Sequence, residues 1–95
     1  MKLDKSSKNN YSCSIIVPCY NEEGNVEETI KHAPKIGKFT EIIIVDDCST
    51  DKTKQKAQRL KGKIKNLRVI SRKVNGGKGP SVKTGIDAAK GDIVM

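Results

Sequence analysis

The run Ile42-Ile43-Ile44-Val45 constrains this chain more than any other stretch. Four β-branched residues in succession leave no polar face, so the run reads as a strand buried on both sides, as in a parallel sheet. It stops abruptly at Asp46 and Asp47. Ser49, Thr50 and Asp51 follow, and each of them can cap a helix. Carboxylates at the carboxyl end of a central strand sit where open α/β sheets bind their ligands. Acidic residues that merely end a strand and begin a helix explain the same letters, so this stretch alone leaves both readings open.

The flanking sequence repeats the pattern. Residues 1–11 are polar, charged and without periodicity, which predicts a disordered lead. Cys13 to Val17 predicts a first strand, with Pro18 as its stop. After the loop Cys19 to Gly24, a helix from about Asn25 places Val26, Ile30 and Ala33 on one face, with Pro34 to end it. A second helix is expected from Asp51 to Lys61, with Thr53, Ala57 and Leu60 inward and Gly62 as the stop. Leu67 to Ile70 gives a third strand, and Asn75 to Pro80 a glycine-rich turn. Pro80 suits the first turn of a third helix. Val82, Gly85, Ile86 and Ala89 form its apolar face and Gly91 its end. Asp92 to Met95 opens a fourth strand. Strands alternating with helices predict right-handed βαβ units. The expected architecture is α/β: a Rossmann-like parallel sheet of strand order 3-2-1-4 with helices on both faces.

Composition narrows the function classes. The chain has 95 residues, enough for one small domain. Lys plus Arg is 19 against 11 Asp plus Glu, a formal net charge of +8. Such an excess suits an anionic partner or simply a lysine-rich soluble surface. The basic residues are spread along the sequence. Aromatics are few (Tyr11, Tyr20, Phe39), which argues against a base-stacking platform and against nucleic acid as partner. Cys13, Cys19 and Cys48 fit no zinc spacing and read as reduced thiols in a cytoplasmic setting, with Cys48 a small loop residue. The lone His32 is a surface residue. The start has no apolar core like that of a signal peptide, and no apolar run approaches a membrane span. A signalling receiver fits poorly, since its acid pair is expected on the first strand.

Three loops are expected on one sheet edge: Tyr20-Asn21-Glu22, Asp46-Asp47 and Gly76-Gly77-Lys78-Gly79. Ionised carboxylates accept hydrogen bonds from a base N–H or ribose hydroxyls. Glycines with a lysine suit a phosphate. No Gly-Lys-Ser/Thr triplet makes the third loop a Walker motif, and Val82 spoils a dinucleotide fingerprint. The residues describe a nucleotide-like pocket.

The sets Ile16-Val17-Pro18-Cys19-Tyr20-Asn21-Glu22-Glu23, Val45-Asp46-Asp47-Cys48-Ser49-Thr50-Asp51-Lys52-Thr53, and Asn75-Gly76-Gly77-Lys78-Gly79 through Gly85, Ala89, Gly91 and Asp92 resemble family 2 glycosyltransferases of the GT-A fold. The nearest branch is that of dolichol-phosphate and polyprenyl-phosphate mannosyl- and glucosyltransferases. The resemblance implies that residues 12–95 are the N-terminal, nucleotide-sugar-binding part of such a domain. It implies that Pro18, Tyr20 and Glu22 line the ribose and base. Val45 and Asp47 then sit at the base, with Asp47 accepting from a ring N–H. Asp46 either braces the loops or meets the ligand. Lys78 either faces the diphosphate or holds its loop, and Asn21 is a structural neighbour. The donor is a UDP- or GDP-sugar; the acceptor is a polyprenyl or dolichyl phosphate or a glycan. Mg or Mn is expected as cofactor of the full-length family member, on an Asp-x-Asp that follows the fourth strand and is absent from these residues. The chain alone is then inactive, or a nucleotide-binding remnant. A place at the inner membrane face and self-association through the strand Asp92 to Met95 complete the expectation.

Overall fold

A computed structural model describes residues 12–32, 39–91 and 93–94. In chain order the elements are β1 (Ser12–Cys19), α1 (Val26–Lys31), β2 (Phe39–Asp46), α2 (Thr53–Lys61), β3 (Leu67–Ser71), α3 (Lys78–Ala88) and β4 (Ile93–Val94). Every strand pairing is parallel, and the order is β3-β2-β1-β4. The disordered lead expected over 1–11, and the positions of Ala33, Pro34, Asp92 and Met95, lie outside the described residues.

The β-branched run forms the centre because it is paired on both sides. Ile43 and Ile44 register with Ile16 and Val17 of β1, and with Arg68 and Val69 of β3. Side chains alternate across a strand, so the run feeds two cores. Ile42 and Ile44 pack with Val26 and Ile30 of α1 and with Ala57 and Leu60 of α2. Ile43 and Val45 point the other way, towards α3, and both are fully buried. Helices therefore cover both faces. Gly85 makes the α3 contact possible: a Cβ there would lie 2.4 Å from Ile16 Cγ2 and 3.2 Å from Val45 Cγ2.

Several boundaries differ from expectation. β1 does not stop at Pro18 but runs on to Cys19. β4 meets β1 only at Cys13 and Ser14, so among the described residues Pro18 has a strand on one side alone, the edge setting that a proline tolerates. α2 begins at Thr53, not Asp51. Asp51 stays outside, before the N-cap Lys52, its carboxylate accepting the Thr53 N–H at 2.9 Å and the Glu23 N–H at 3.2 Å, besides the Thr53 hydroxyl. Gly62 keeps right-handed helical angles, and the turn towards β3 is made at Asn66, with φ of 65°.

The third helix departs most. It starts at Lys78, inside the expected turn, so Pro80 is its third residue, still in the first turn where no intrahelical N–H bond is lost. Its buried residues are Ser81 and Gly85, whereas Ile86 is 50 % exposed. The close approach at Gly85 sets the helix phase and turns Ile86 outward. The helix ends at Ala88, before Gly91, because the next polar groups are taken by strand side chains. Arg68 donates to the Ala88 carbonyl at 2.9 Å, Lys90 N–H donates to Glu41 at 3.2 Å, and Gly91 N–H donates to Ser14 Oγ at 2.8 Å. Glu41 also accepts from the Ser14 hydroxyl at 2.7 Å and pairs with Arg68 at 2.8 Å. Burial pushes the Glu41 carboxyl up, but the bonds from Ser14, Arg68 and Lys90 and the Arg68 charge outweigh it and leave the group below its ordinary value.

Gly85→Ala should destabilise the fold by roughly 1–3 kcal/mol through overpacking. Combined with Ile16→Ala, the two losses should fall short of their sum, because the second change removes the clashing methyl. Chemical unfolding of the three variants measures this; strict additivity would show that α3 does not rest on Ile16.

Candidate functional site

Parallel strands deliver the loops after β1, β2 and β3 to the same edge of the sheet. Each loop is tied to the next by side-chain-to-backbone bonds. In the first, Asn21 has φ of 50°, its N–H donates to Ser49 Oγ at 3.0 Å, and its Oδ1 accepts the Thr50 N–H at 2.9 Å. The Glu22 N–H donates to Thr53 Oγ1 at 2.7 Å, and the Asp47 N–H to the Cys19 carbonyl at 2.9 Å. Asp46 turns back under its own loop and accepts the Ser49 hydroxyl at 2.5 Å and the Ser49 N–H at 3.3 Å.

Asp47 ties in the third loop. Its Oδ1 accepts from Arg72 at 2.7 Å and from the Gly76 N–H at 3.1 Å; its Oδ2 accepts the Gly77 N–H at 2.7 Å. Gly77 can present that N–H because φ is 90° there, a conformation glycine adopts freely. The Gly76 bond first, then the Gly77 bond, the Arg72 charge and the Ser81 hydroxyl hold the Asp47 carboxyl below the usual carboxylate range against the opposing effect of burial. The Arg72 N–H also donates to the Asp46 carbonyl at 2.8 Å, so one arginine spans both acidic positions.

The loops enclose a cleft of about 540 Å³. Of the residues singled out in the sequence, Pro18, Tyr20, Glu22, Asp47 and Lys78 line it together. Val45, Asp46 and Asn21 do not. Val45 is fully buried beneath, against Gly85; Asp46 is 2 % exposed, and Asn21 laces two loops. Cys19, Asn75, Gly77 and Ser81 line the cleft as well. Ser81 and Arg72 carried no sequence signal, since each acts through a partner that only the fold brings near. Lys78 is exposed and, among the described residues, its side chain makes no hydrogen bond or ion pair. Burial first, then the charges of Glu22 and Asp46, push the Cys19 thiol up to about 11, so it stays protonated and is no nucleophile at neutral pH. Among the described residues no three His, Cys, Asp or Glu side chains converge as metal ligands. The two adjacent aspartates already accept from Ser49, Arg72, Gly76 and Gly77, so this pair does not fit a metal site.

A parallel sheet whose three strand-end loops close on one cleft defines an α/β protein with its candidate ligand site at the carboxyl edge of the sheet. The chain belongs to glycosyl transferase family 2, which matches residues 14–95. It is 39% identical over 84 residues to a dolichol-phosphate mannosyltransferase of Pyrococcus furiosus, a match covering 86% of this chain and 24% of that protein. It is 34% identical over 91 residues to a dolichyl-phosphate beta-glucosyltransferase of Trichomonas vaginalis, covering 86% of this chain and 28% of that one. A mannosyltransferase from Pyrobaculum calidifontis, solved in complex with GDP-Man and Mn2+, superposes with a TM-score of 0.75 at 28% identity, over 86% of this chain and 25% of that one. Staphylococcus aureus TarS 1-349 in complex with UDP-GlcNAc gives 0.76 at 34% identity, over 88% and 25%. The chain thus spans about a quarter of the length of these relatives, whose fold is GT-A.

A carboxyl with a lowered folded value contributes stability that is present above its unfolded value, about 3.9 for Asp, and is lost as pH falls through the folded one. Asp47→Asn should therefore flatten the acid limb of the stability curve below about pH 4. Circular dichroism across an acid series at fixed denaturant checks it; an unchanged acid limb would mean that the Arg72 and glycine contacts do not distinguish the ionised form.

Proposed function

We propose that the cleft binds the nucleotide of a UDP- or GDP-sugar, and that residues 12–95 are the nucleotide-sugar-binding part of a glycosyltransferase. The acceptor in this reading is a polyprenyl or dolichyl phosphate or a glycan. The observation that carries it is the meeting of all three strand-end loops at one cleft with Tyr20, Glu22, Asp47 and Lys78 on its wall. Relatives named for dolichol-phosphate transfer, and neighbours solved with GDP-Man and UDP-GlcNAc, support it. The sheet order 3-2-1-4, with β4 outermost, is the scaffold of the same reading.

Pro18, Tyr20 and Glu22 take the base and ribose. Asp47 Oδ2 accepts the Gly77 N–H, and a carboxylate oxygen has a second lone pair that a ring N–H at the base edge can engage. Lys78, at the N-terminus of α3, faces the diphosphate, where helix-end N–H groups and an ammonium both favour negative charge. Val45, Asp46 and Asn21 act from behind by fixing the loops. The reaction class is displacement at the anomeric carbon of the sugar. Mg or Mn, in keeping with the Mn2+ of neighbours, would steady charge on the departing diphosphate. The described residues furnish no ligand set for it. A second reading has the chain bind nucleotide and transfer nothing by itself. In this reading the chain sits on the cytoplasmic side, peripheral to the inner membrane face, and self-association would run through β4.

Calorimetric titration should show metal-independent binding of UDP or GDP, weakened more by Asp47→Ala than by Asp46→Ala. A folded sample that binds neither nucleotide would reject the reading. A transfer assay with labelled nucleotide-sugars and polyprenyl phosphate separates the two forms of it, since turnover by the chain alone excludes the remnant.

A further inference from the structure

Between Asp51 and Asp87 the sequence contains no acidic residue, and seven of its 19 Lys and Arg side chains fall between Lys52 and Lys65. The fold makes this segment α2 and the turn behind it. Thr53, Ala57 and Leu60 turn into the core, which leaves the cations outside. Lys52, Lys54, Arg59, Lys61, Lys63 and Lys65 are all exposed. Among the described residues none of the six has an ion pair or a side-chain hydrogen bond. Lys56, by contrast, is held by the Glu23 carbonyl at 2.8 Å. At 1.5 Å per residue, successive exposed cations of α2 are offset by roughly 3–8 Å along its axis, within a Debye length of about 8 Å at physiological salt, so neighbouring charges reinforce one another.

We propose that α2 and the turn after it form a docking face for an anionic lipid bilayer. Charge complementarity selects the occupant. Five of the six cations are lysines, compact point charges that answer to a surface potential and lack the guanidinium fork that reads individual phosphates. No aromatic residue occurs from 52 to 66, so the face offers a nucleic acid nothing to stack on. The inference rests on the proposed function in one respect: a polyprenyl phosphate acceptor resides in a bilayer. It goes beyond it by assigning the contact to α2. The face is separate from the cleft residues, so the two can be lost independently.

The test uses the full chain and sedimentation with vesicles of phosphatidylcholine alone or mixed with phosphatidylserine. Binding is expected to the mixed vesicles only, and to fall as salt is raised. The triple variant Lys54→Gln, Lys61→Gln, Lys65→Gln should lose about fivefold in partition per lysine removed. The triple variant Lys73→Gln, Lys83→Gln, Lys90→Gln removes the same charge elsewhere and should lose far less. Circular dichroism verifies that both are folded, and UDP and GDP titrations read the cleft separately: lost vesicle binding with unchanged nucleotide binding is the expected pattern. Equal losses in the two variants, absence of binding to mixed vesicles at low salt, joint loss of vesicle and nucleotide binding, or tighter binding to an RNA oligonucleotide than to vesicles would each overturn the proposal.

Discussion

The Asp47 carboxylate, 3 % exposed and ringed by the N–H groups of Gly76 and Gly77 and the guanidinium of Arg72, fixes how the site edge is built. An ionised group that far from solvent is tolerated only when hydrogen bonds replace its water. Here two of those bonds come from backbone 29 and 30 residues further along the chain. The requirement to satisfy one carboxylate therefore decides where the third loop lies. That loop in turn places Lys78 and the start of α3 on the cleft wall.

A second carboxylate does the same at the opposite end of the strand. Glu41 gathers Ser14, Arg68 and the Lys90 N–H, and so anchors the chain just beyond α3. Residues 41, 43 and 45 share one side of β2 by the alternation of a strand, and Asp47 follows directly after its end. Helix α3 is thus strung between two acidic anchors, with Gly85 pressed on Ile16 and Val45 between them. The apolar centre supplies burial, and the anchors at either end supply direction. The first loop is tied to the second through Asn21, Ser49 and Thr50 in the same manner.

Membership in glycosyl transferase family 2 accords with this arrangement, in which the chain that forms the cleft also covers both faces of a parallel sheet. The two sheet faces serve different ends. The α3 side is fitted closely, glycine against strand, and carries the cleft. The α1 and α2 side packs Val26, Ile30, Ala57 and Leu60 on Ile42 and Ile44, and the outer surface of α2 and the turn after it carries cations without an acidic residue among them. Cations that follow one another in sequence reinforce each other once a helix turns the apolar residues between them inward.

Local sequence determined the elements that depend on neighbours along the chain. The four β-branched residues from Ile42 demanded a strand buried on both sides, and Thr53, Ala57 and Leu60 demanded one face of a helix. The three strand-end loops, and five of the cleft residues, Pro18, Tyr20, Glu22, Asp47 and Lys78, followed from the same alternation and from the family motifs. Tertiary structure alone decided what depends on partners distant in sequence. Pro18 stays in β1 because of which side of the strand is paired. Ile86 turns outward because Gly85 meets Ile16. Helix α3 ends at Ala88 because Arg68, Glu41 and Ser14 take the polar groups that follow. Arg72 and Ser81 enter the site because Asp47 is there to meet them. Local propensity reads the shape of one segment; these features are settled by close contacts and buried hydrogen bonds between segments, which the order of residues does not display.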